Sequence, residues 1–193
     1  MRIRPAERAD LPSIARVFTQ TTRHAFNAFT PGGRTESGLG AEAMVPEGQA
    51  LIEFAWDLWW GQWFAYVAEL RPGEVVGFSC GGAEATETTE HRVQMRGLYV
   101  LPEHQGGLVG RFLASAVASR FLELGHRSLM SWVLEQNVAA RDFHVGLGGE
   151  PRYRVESVGY FVREVPPGPE VHALVGYVWD DASALVIRRR ARS

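Results

Sequence analysis

A single cysteine, Cys80, stands in a chain of 193 residues, which excludes a disulfide framework within the chain and makes a reducing cytoplasm the natural compartment. Charge of one sign is lacking too. The net charge of −2 is too near zero for the basic field that draws nucleic acid, so no nucleic-acid partner is expected. The one basic run, Arg188-Arg189-Arg190-Ala191-Arg192, reads as a solvated, frayed tail over about 188–193. No apolar stretch approaches membrane-spanning length, so no membrane partner is expected. Met1-Arg2-Ile3-Arg4-Pro5 lacks the apolar run that follows the charges of a signal peptide. There is no repeat period and no low-complexity segment. The six histidines show no metal-ligand spacing and cysteine pairs are missing, so no metal site is expected.

What is present is the mix of a soluble globular protein, 46% hydrophobic and 22% charged. Residues 1–193 suit one domain with a full core. Arg2 to Arg4 reads as a short strand closed by Pro5. Asp10 caps a helix that runs to about Thr22, with Leu11, Ile14, Ala15 and Phe18 at helical spacing. Residues 27–48 form a long loop of the kind that often serves as a lid. A helix starts near Pro46-Glu47 and carries two apolar stripes: Leu51, Phe54, Ala55 and Leu58 on one side, Ile52, Trp56, Trp59 and Trp63 on the other. The second stripe suits core, a dimer contact or a cleft wall.

Trp63 to Leu70 and Val75 to Gly82 flank Arg71-Pro72-Gly73, a hairpin signature, and Val93 to Val100 continues an antiparallel meander. Gly107 to Leu124 reads as a helix ended by Gly125, and Leu129 to Leu134 as a buried strand. Asn137 starts a helix that Gly148-Gly149 stops. Arg152 to Val162 and Val171 to Trp179 are the last strands. The class is mixed α/β.

The informative stretch is Leu98-Tyr99-Val100-Leu101-Pro102-Glu103-His104-Gln105-Gly106-Gly107-Leu108-Val109-Gly110-Arg111, between a strand and a helix. Amides at a helix N-terminus lack intrahelical partners, and with the helix dipole they favour an anion such as phosphate. Glycines let a ligand approach the backbone, and Arg111 adds charge beside it. A Walker loop would end in Lys-Ser or Lys-Thr, whereas Arg111-Phe112 follows here. A dinucleotide fingerprint needs its glycines inside a parallel βαβ unit, and the strands before this loop read as antiparallel. A glycine-rich turn with no ligand is the bland alternative.

This segment resembles the acetyl-CoA loop of the GNAT N-acetyltransferases, in which Gln or Arg is followed by x-x-Gly-x-Gly or Ala. Gln105 and Gly110 match, and Leu108 stands where the family has its middle glycine. Asn137-Val138-Ala139-Ala140-Arg141-Asp142-Phe143 resembles the family's Asn-x-x-Ala-x-x-Phe helix, and Asp10-Leu11-Pro12 looks typical of its first helix.

The resemblance implies a single, mostly antiparallel mixed sheet of about seven strands with about four helices, splayed between the fourth and fifth strands. It implies acetyl-CoA as co-substrate and transfer of the acetyl group to a primary amine, either a small molecule or a peptide. Leu98 and Val100 would pair with the pantetheine arm, Tyr99 lying between them. Gln105, Gly106, Gly107, Leu108, Val109 and Gly110 would hold the pyrophosphate. Asn137 would orient the arm, cap its helix, or both. Phe143 would pack on the arm or in the core. Many relatives are homodimers.

Two departures bear on mechanism. The family often has a tyrosine acid after the helix phenylalanine, where this chain has His144, a candidate acid that otherwise contacts cofactor or packs. Many relatives have a glutamate base where this chain has Gln94, which cannot act as a base; Glu84, Glu87, Glu90 and His91 precede it and are the alternative candidates. Cys80 reads as a core thiol rather than a nucleophile. A rival to the enzyme is a regulatory module that holds acyl-CoA without turnover. A third reading, a longer acyl group or an O-linked acceptor, draws on Trp56 and Trp59.

Overall fold

The computed structural model describes residues 1–29, 63–84, 89–158 and 171–187. Residues 30–48 of the expected long loop, the striped helix after it apart from Trp63, and the basic tail lie outside these residues; residues 27–29, expected in that loop, are the end of a helix. Seven strands form one sheet: β1 (Arg2–Pro5), β2 (Trp63–Glu69), β3 (Val75–Ala83), β4 (Val93–Val100), β5 (Leu129–Leu134), β6 (Glu150–Val158) and β7 (Val171–Trp179). Their order is β1-β2-β3-β4-β5-β7-β6. The three α-helices among the described residues are α1 (Leu11–Phe29), α2 (Val109–Glu123) and α3 (Val138–Gly146), and none is long and apolar enough to cross a membrane.

Every pairing is antiparallel except β4 with β5, which is parallel and registers only at Gln94↔Met130. A parallel neighbour needs a crossover, and α2 supplies it. The splay expected between the fourth and fifth strands is thus where the sheet opens.

Alternation along the strands decides which side chains enter which layer. Val93 and Met95 of β4 and Leu129 and Val133 of β5 pack with Ala114, Val117, Ala118 and Phe121 of α2. Met130 and Trp132 of β5 point to the other side, with Leu174 and Val178 of β7. Covering a ring such as Phe121, 1% exposed, contributes about 1.5–3 kcal/mol. Helix α2 is also covered on its outer side: a short turn, Ala182–Leu185, packs there, and the Ile187 N–H donates to Ser115 Oγ at 2.9 Å.

Helix α1 runs seven residues past the expected Thr22, and its Ile14, Val17 and Phe18 are buried with residues of β2, β3 and β4. Asp10, expected to cap the helix, ends the short turn Arg8–Asp10 that leads into it; its carboxylate accepts the Glu7 N–H at 2.8 Å and pairs with Arg4 at 2.7 Å, tying β1 to the helix start. Arg4 holds its carboxyl below the usual aspartate value.

Candidate active site at the parted strands

Beyond Gln94 the two strands diverge, and the edge of β4 that faces β5 is left open. Leu101 N–H donates to Val76 O at 2.9 Å. The alternate residues Leu98 and Val100 therefore direct their main-chain groups away from β3, toward the gap. Val100 O is taken at the strand end by Gln105 Nε2 at 2.8 Å and by Thr21 Oγ at 3.3 Å. The Val100 N–H and both main-chain groups of Leu98 have no β5 partner. Tyr99 sits on the opposite face, stacked on Phe78 with centroids 4.9 Å apart and edge-on to Phe18; its role is to hold β4 against α1.

The loop after β4 follows the expected pattern with one change. Gln105 N–H donates to Pro102 O at 3.2 Å, and its side chain braces Val100, so Gln105 shapes the loop. The open amides begin at Gly106. Among the described residues, no backbone partner is found for the N–H groups of 106–111, and Phe112 N–H is the first to bond back, to Leu108 O at 3.0 Å. Gly106 has φ +73°, and a Cβ there or on Gly107 would meet nothing within 4 Å. The loop is thus a main-chain cradle at a helix N-terminus. Leu108 is 59% exposed, so its side chain stands in solvent and leaves its amide accessible. Val109 is buried in the core. Arg111 is exposed and donates to Gly146 O at 3.1 Å, linking α2 to α3.

At Gly110, helix α2 and α3 come close: a Cβ would lie 2.9 Å from Phe143 Cζ and 3.5 Å from Leu98 Cδ2. Phe143 therefore closes the groove between the helices over Leu98. Asn137 caps α3, its Oδ1 accepting Ala140 N–H at 3.1 Å. This leaves its side-chain NH2 without a partner among the described residues.

His144 is 6% exposed. Its Nδ1 lies 2.7 Å from Ala140 O and its Nε2 3.3 Å from Ser131 Oγ. Nδ1 must donate to the carbonyl, so Nε2 accepts the serine hydroxyl. Burial lowers its pKa below the ordinary value, opposed by the Ala140 carbonyl. Ser131, 5% exposed, was not found by sequence reasoning. It lies one residue past the β4–β5 bridge, and only the register shows this.

On the far side of the sheet from α2 the site is built from side chains. Gln94 is 8% exposed and faces away from Val93 and Met95. Glu84 is half-buried and accepts the Trp132 Nε1–H at 3.2 Å. Of the other candidate bases, Glu87 lies outside the described residues, Glu90 is exposed, and His91 is buried edge-on to Tyr153, toward β6. Arg96 lies over Trp63, its guanidinium carbon 3.9 Å from the ring centroid. Desolvation pushes Cys80 up to about 11, which keeps the thiol protonated at neutral pH and unfit as a nucleophile.

Three kinds of comparison bear on the family and fold of the chain. The profile of the Acetyltransferase (GNAT) family matches residues 38–148. An uncharacterized N-acetyltransferase of Bacillus subtilis (strain 168), YuaI, is 33% identical over 72 residues, which span 37% of this chain and 42% of that relative. The PaiA N-acetyltransferase of Thermoplasma acidophilum, in complex with coenzyme A, superposes with a TM-score of 0.62 at 15% identity, over 91% of this chain and 96% of that one. A phosphinothricin acetyltransferase of Sinorhizobium meliloti, in complex with AcCoA, gives 0.61 at 19% identity, over 94% and 89%. At these identities the two structures establish the fold.

Proposed function

This chain belongs to the acetyltransferase (GNAT) family, and we propose that it transfers the acetyl group of acetyl-CoA to a primary amine. One observation carries the proposal. An unpaired strand edge at Leu98 and Val100 runs directly into a row of unpartnered amides at 106–111. An extended amide-bearing chain that ends in a pyrophosphate matches both halves of that surface.

The residues fit the group. The amides of Gly106, Gly107, Leu108, Val109, Gly110 and Arg111 would receive the phosphates, with Gln105 bracing the loop and the Arg111 charge beside it. Leu98 and Val100 would pair with the arm, Asn137 would donate its NH2 to it, and Phe143 would cover it. When bound, acetyl-CoA supplies an acyl thioester open to attack by a neutral amine.

Most amines are protonated at neutral pH, so a proton must leave first. Gln94 cannot take it. Glu84 faces the same side of the sheet, held by Trp132, and is the base this reading assigns. At the other side of the parted strands, His144 stands behind the Ser131 hydroxyl. A proton given to the departing sulfur would pass through Ser131 only from the imidazolium form of His144, which the lowered pKa keeps scarce at neutral pH and strongly acidic when it forms. In this reading the base stands on one side of the gap and the Ser131–His144 pair on the other, both near the thioester that the amine attacks and from which the thiol leaves.

Titration calorimetry with acetyl-CoA, CoA and NAD tests the binding surface. Micromolar binding of the first two without NAD supports it, and no binding at millimolar ligand removes it. An amine library followed by thiol release then tests turnover. The enclosure of His144 favours a second reading, a module that holds acyl-CoA without turnover. His144→Ala with rate and affinity both unchanged in an active enzyme would remove His144 from the mechanism.

A further inference from the structure

Among the described residues six arginines meet an acid or a hydroxyl, Arg71 with Glu74 and Arg120 with Glu123 among them. Arg4 pairs with Asp10 and Glu69, Arg152 with Glu150 and Asp180, Arg154 with Glu135, and Arg141 donates to Tyr177 OH. Arg96 differs. It is the extra residue of a β-bulge, where the β3–β4 register passes from Cys80↔Gly97 to Gly81↔Met95. A bulge re-aims the side chain it carries, and this one lies on the face opposite α2, two residues from the Gln94 bridge. Its plane rests on the Trp63 indole, which itself lies against Gly82, where a Cβ would sit 2.8 Å from the ring.

A guanidinium has five N–H donors in a planar fork. Here Nε and Nη2 both lean on one carbonyl, Ala83 O, at a long 3.4 Å. Among the described residues Nη1 has no hydrogen bond and no carboxylate stands within ion-pair distance. Burial lowers its pKa, with Glu84 and Cys80 opposing from a distance. A desolvated charge without an anion is costly unless a ligand supplies one. The stack on Trp63 fixes the plane of the fork in advance, the preorganisation that bidentate recognition uses.

We infer that Arg96, held flat on Trp63, is the seat for a carboxylate of the acceptor, so that the acceptor is a small amino acid or a close analogue. This rests on the amine-transfer reading above. Glu84 would take the proton from the acceptor's amine while Arg96 holds its other end, which fixes the amine at the mouth of the parted strands. The neighbouring positions of a base and a fixed cation suit a substrate that carries an amine and an acid together.

Matched pairs test it: amino acids against their carboxamides, assayed for kcat/KM with wild type, Arg96→Gln and Arg96→Lys. The wild type is expected to prefer the carboxylate member by on the order of tenfold or more, since the amide cannot form the charged fork. Arg96→Gln should abolish the preference through KM, and Arg96→Lys should keep part of it, with acetyl-CoA affinity unchanged in both. Calorimetry of N-acetylated amino acids against their amides, with and without saturating CoA, reads the same preference independently of turnover. A wild type that binds CoA but shows no carboxylate preference in either assay overturns the inference and leaves the transfer reading standing. A preference that survives Arg96→Gln, at unchanged thermal stability, also overturns it. Loss of CoA binding by the wild type strikes the transfer reading, while the CoA-free titrations still decide the Arg96 seat.

Discussion

The two faces of the opening between β4 and β5 are made in opposite ways. Toward α2 the surface is main chain: a bare strand edge and the amides of 106–111, with Gly106 and Gly107 leaving space and the Leu108 side chain turned outward. Away from α2 it is side chain: Trp63 and Arg96, Glu84 and Trp132, Gln94, drawn from three strands and a loop. A main-chain surface serves a ligand with a repeating polar backbone and phosphates. A side-chain surface serves a ligand that must be told apart from others.

The contrast is broken most severely at Gly110, where the main-chain face has no room. Gly110→Val would push into Phe143 and Leu98. It should destabilise the fold by about 1–3 kcal/mol and lower kcat/KM by on the order of 100-fold through displacement of the groove. Thermal melts and steady-state kinetics check both. Gly107→Asp, where a Cβ meets nothing, isolates the cradle instead. Stability should stay within about 0.5 kcal/mol, while a carboxylate near the phosphates should weaken CoA binding by on the order of tenfold or more. Equal CoA affinity in calorimetry would sink the cradle.

His144, packed on the α2 side against Tyr177 and Trp179, gives a pH signature. Its folded pKa is depressed, so the unfolded chain binds more protons as pH falls through about 6.5. Stability due to a neutral His144 is therefore intact above that value and is lost below it, toward the lowered folded pKa. Denaturation midpoints from pH 8 to 5 should fall more steeply in wild type than in His144→Phe; parallel curves would deny the depression. Ser131→Ala removes the hydroxyl that Nε2 accepts, and should cost about 1–3 kcal/mol. The smallest effect belongs to Leu108→Gly. An exposed side chain that lends only its amide should change stability by no more than about 1 kcal/mol, the propensity of glycine near a helix start, and CoA affinity by less than about threefold, a margin below 1 kcal/mol.

Much of this was legible in advance, and unevenly. The loop glycines, Gly110 and the Asn137 cap are local: their spacing follows from what a helix terminus demands of its own few residues. The meander and the strands β4 and β5 follow from alternation, and β4 and β5 match their expected bounds. Gln105 shows what the sequence could not: its amide bonds to Pro102 O. Nothing in the local pattern distinguishes a loop residue that donates inward from one that does not. Arg96 and Ser131 were missed outright, because an arginine and a serine on strands look ordinary until the register is known.

From the sequence alone came the elements, the order of helix and strand around the glycine loop, and the family that this order and spacing resemble. Periodicity and capping act over a few residues and can be read in one dimension. Tertiary structure decided the rest. A bulge at Arg96 turned a guanidinium onto Trp63, one bridge at Gln94 and Met130 set where the strands part, and packing against Tyr177 and Trp179 enclosed His144 beside Ser131. These are contacts between residues tens of positions apart, and their geometry depends on register and burial, which no local spacing carries.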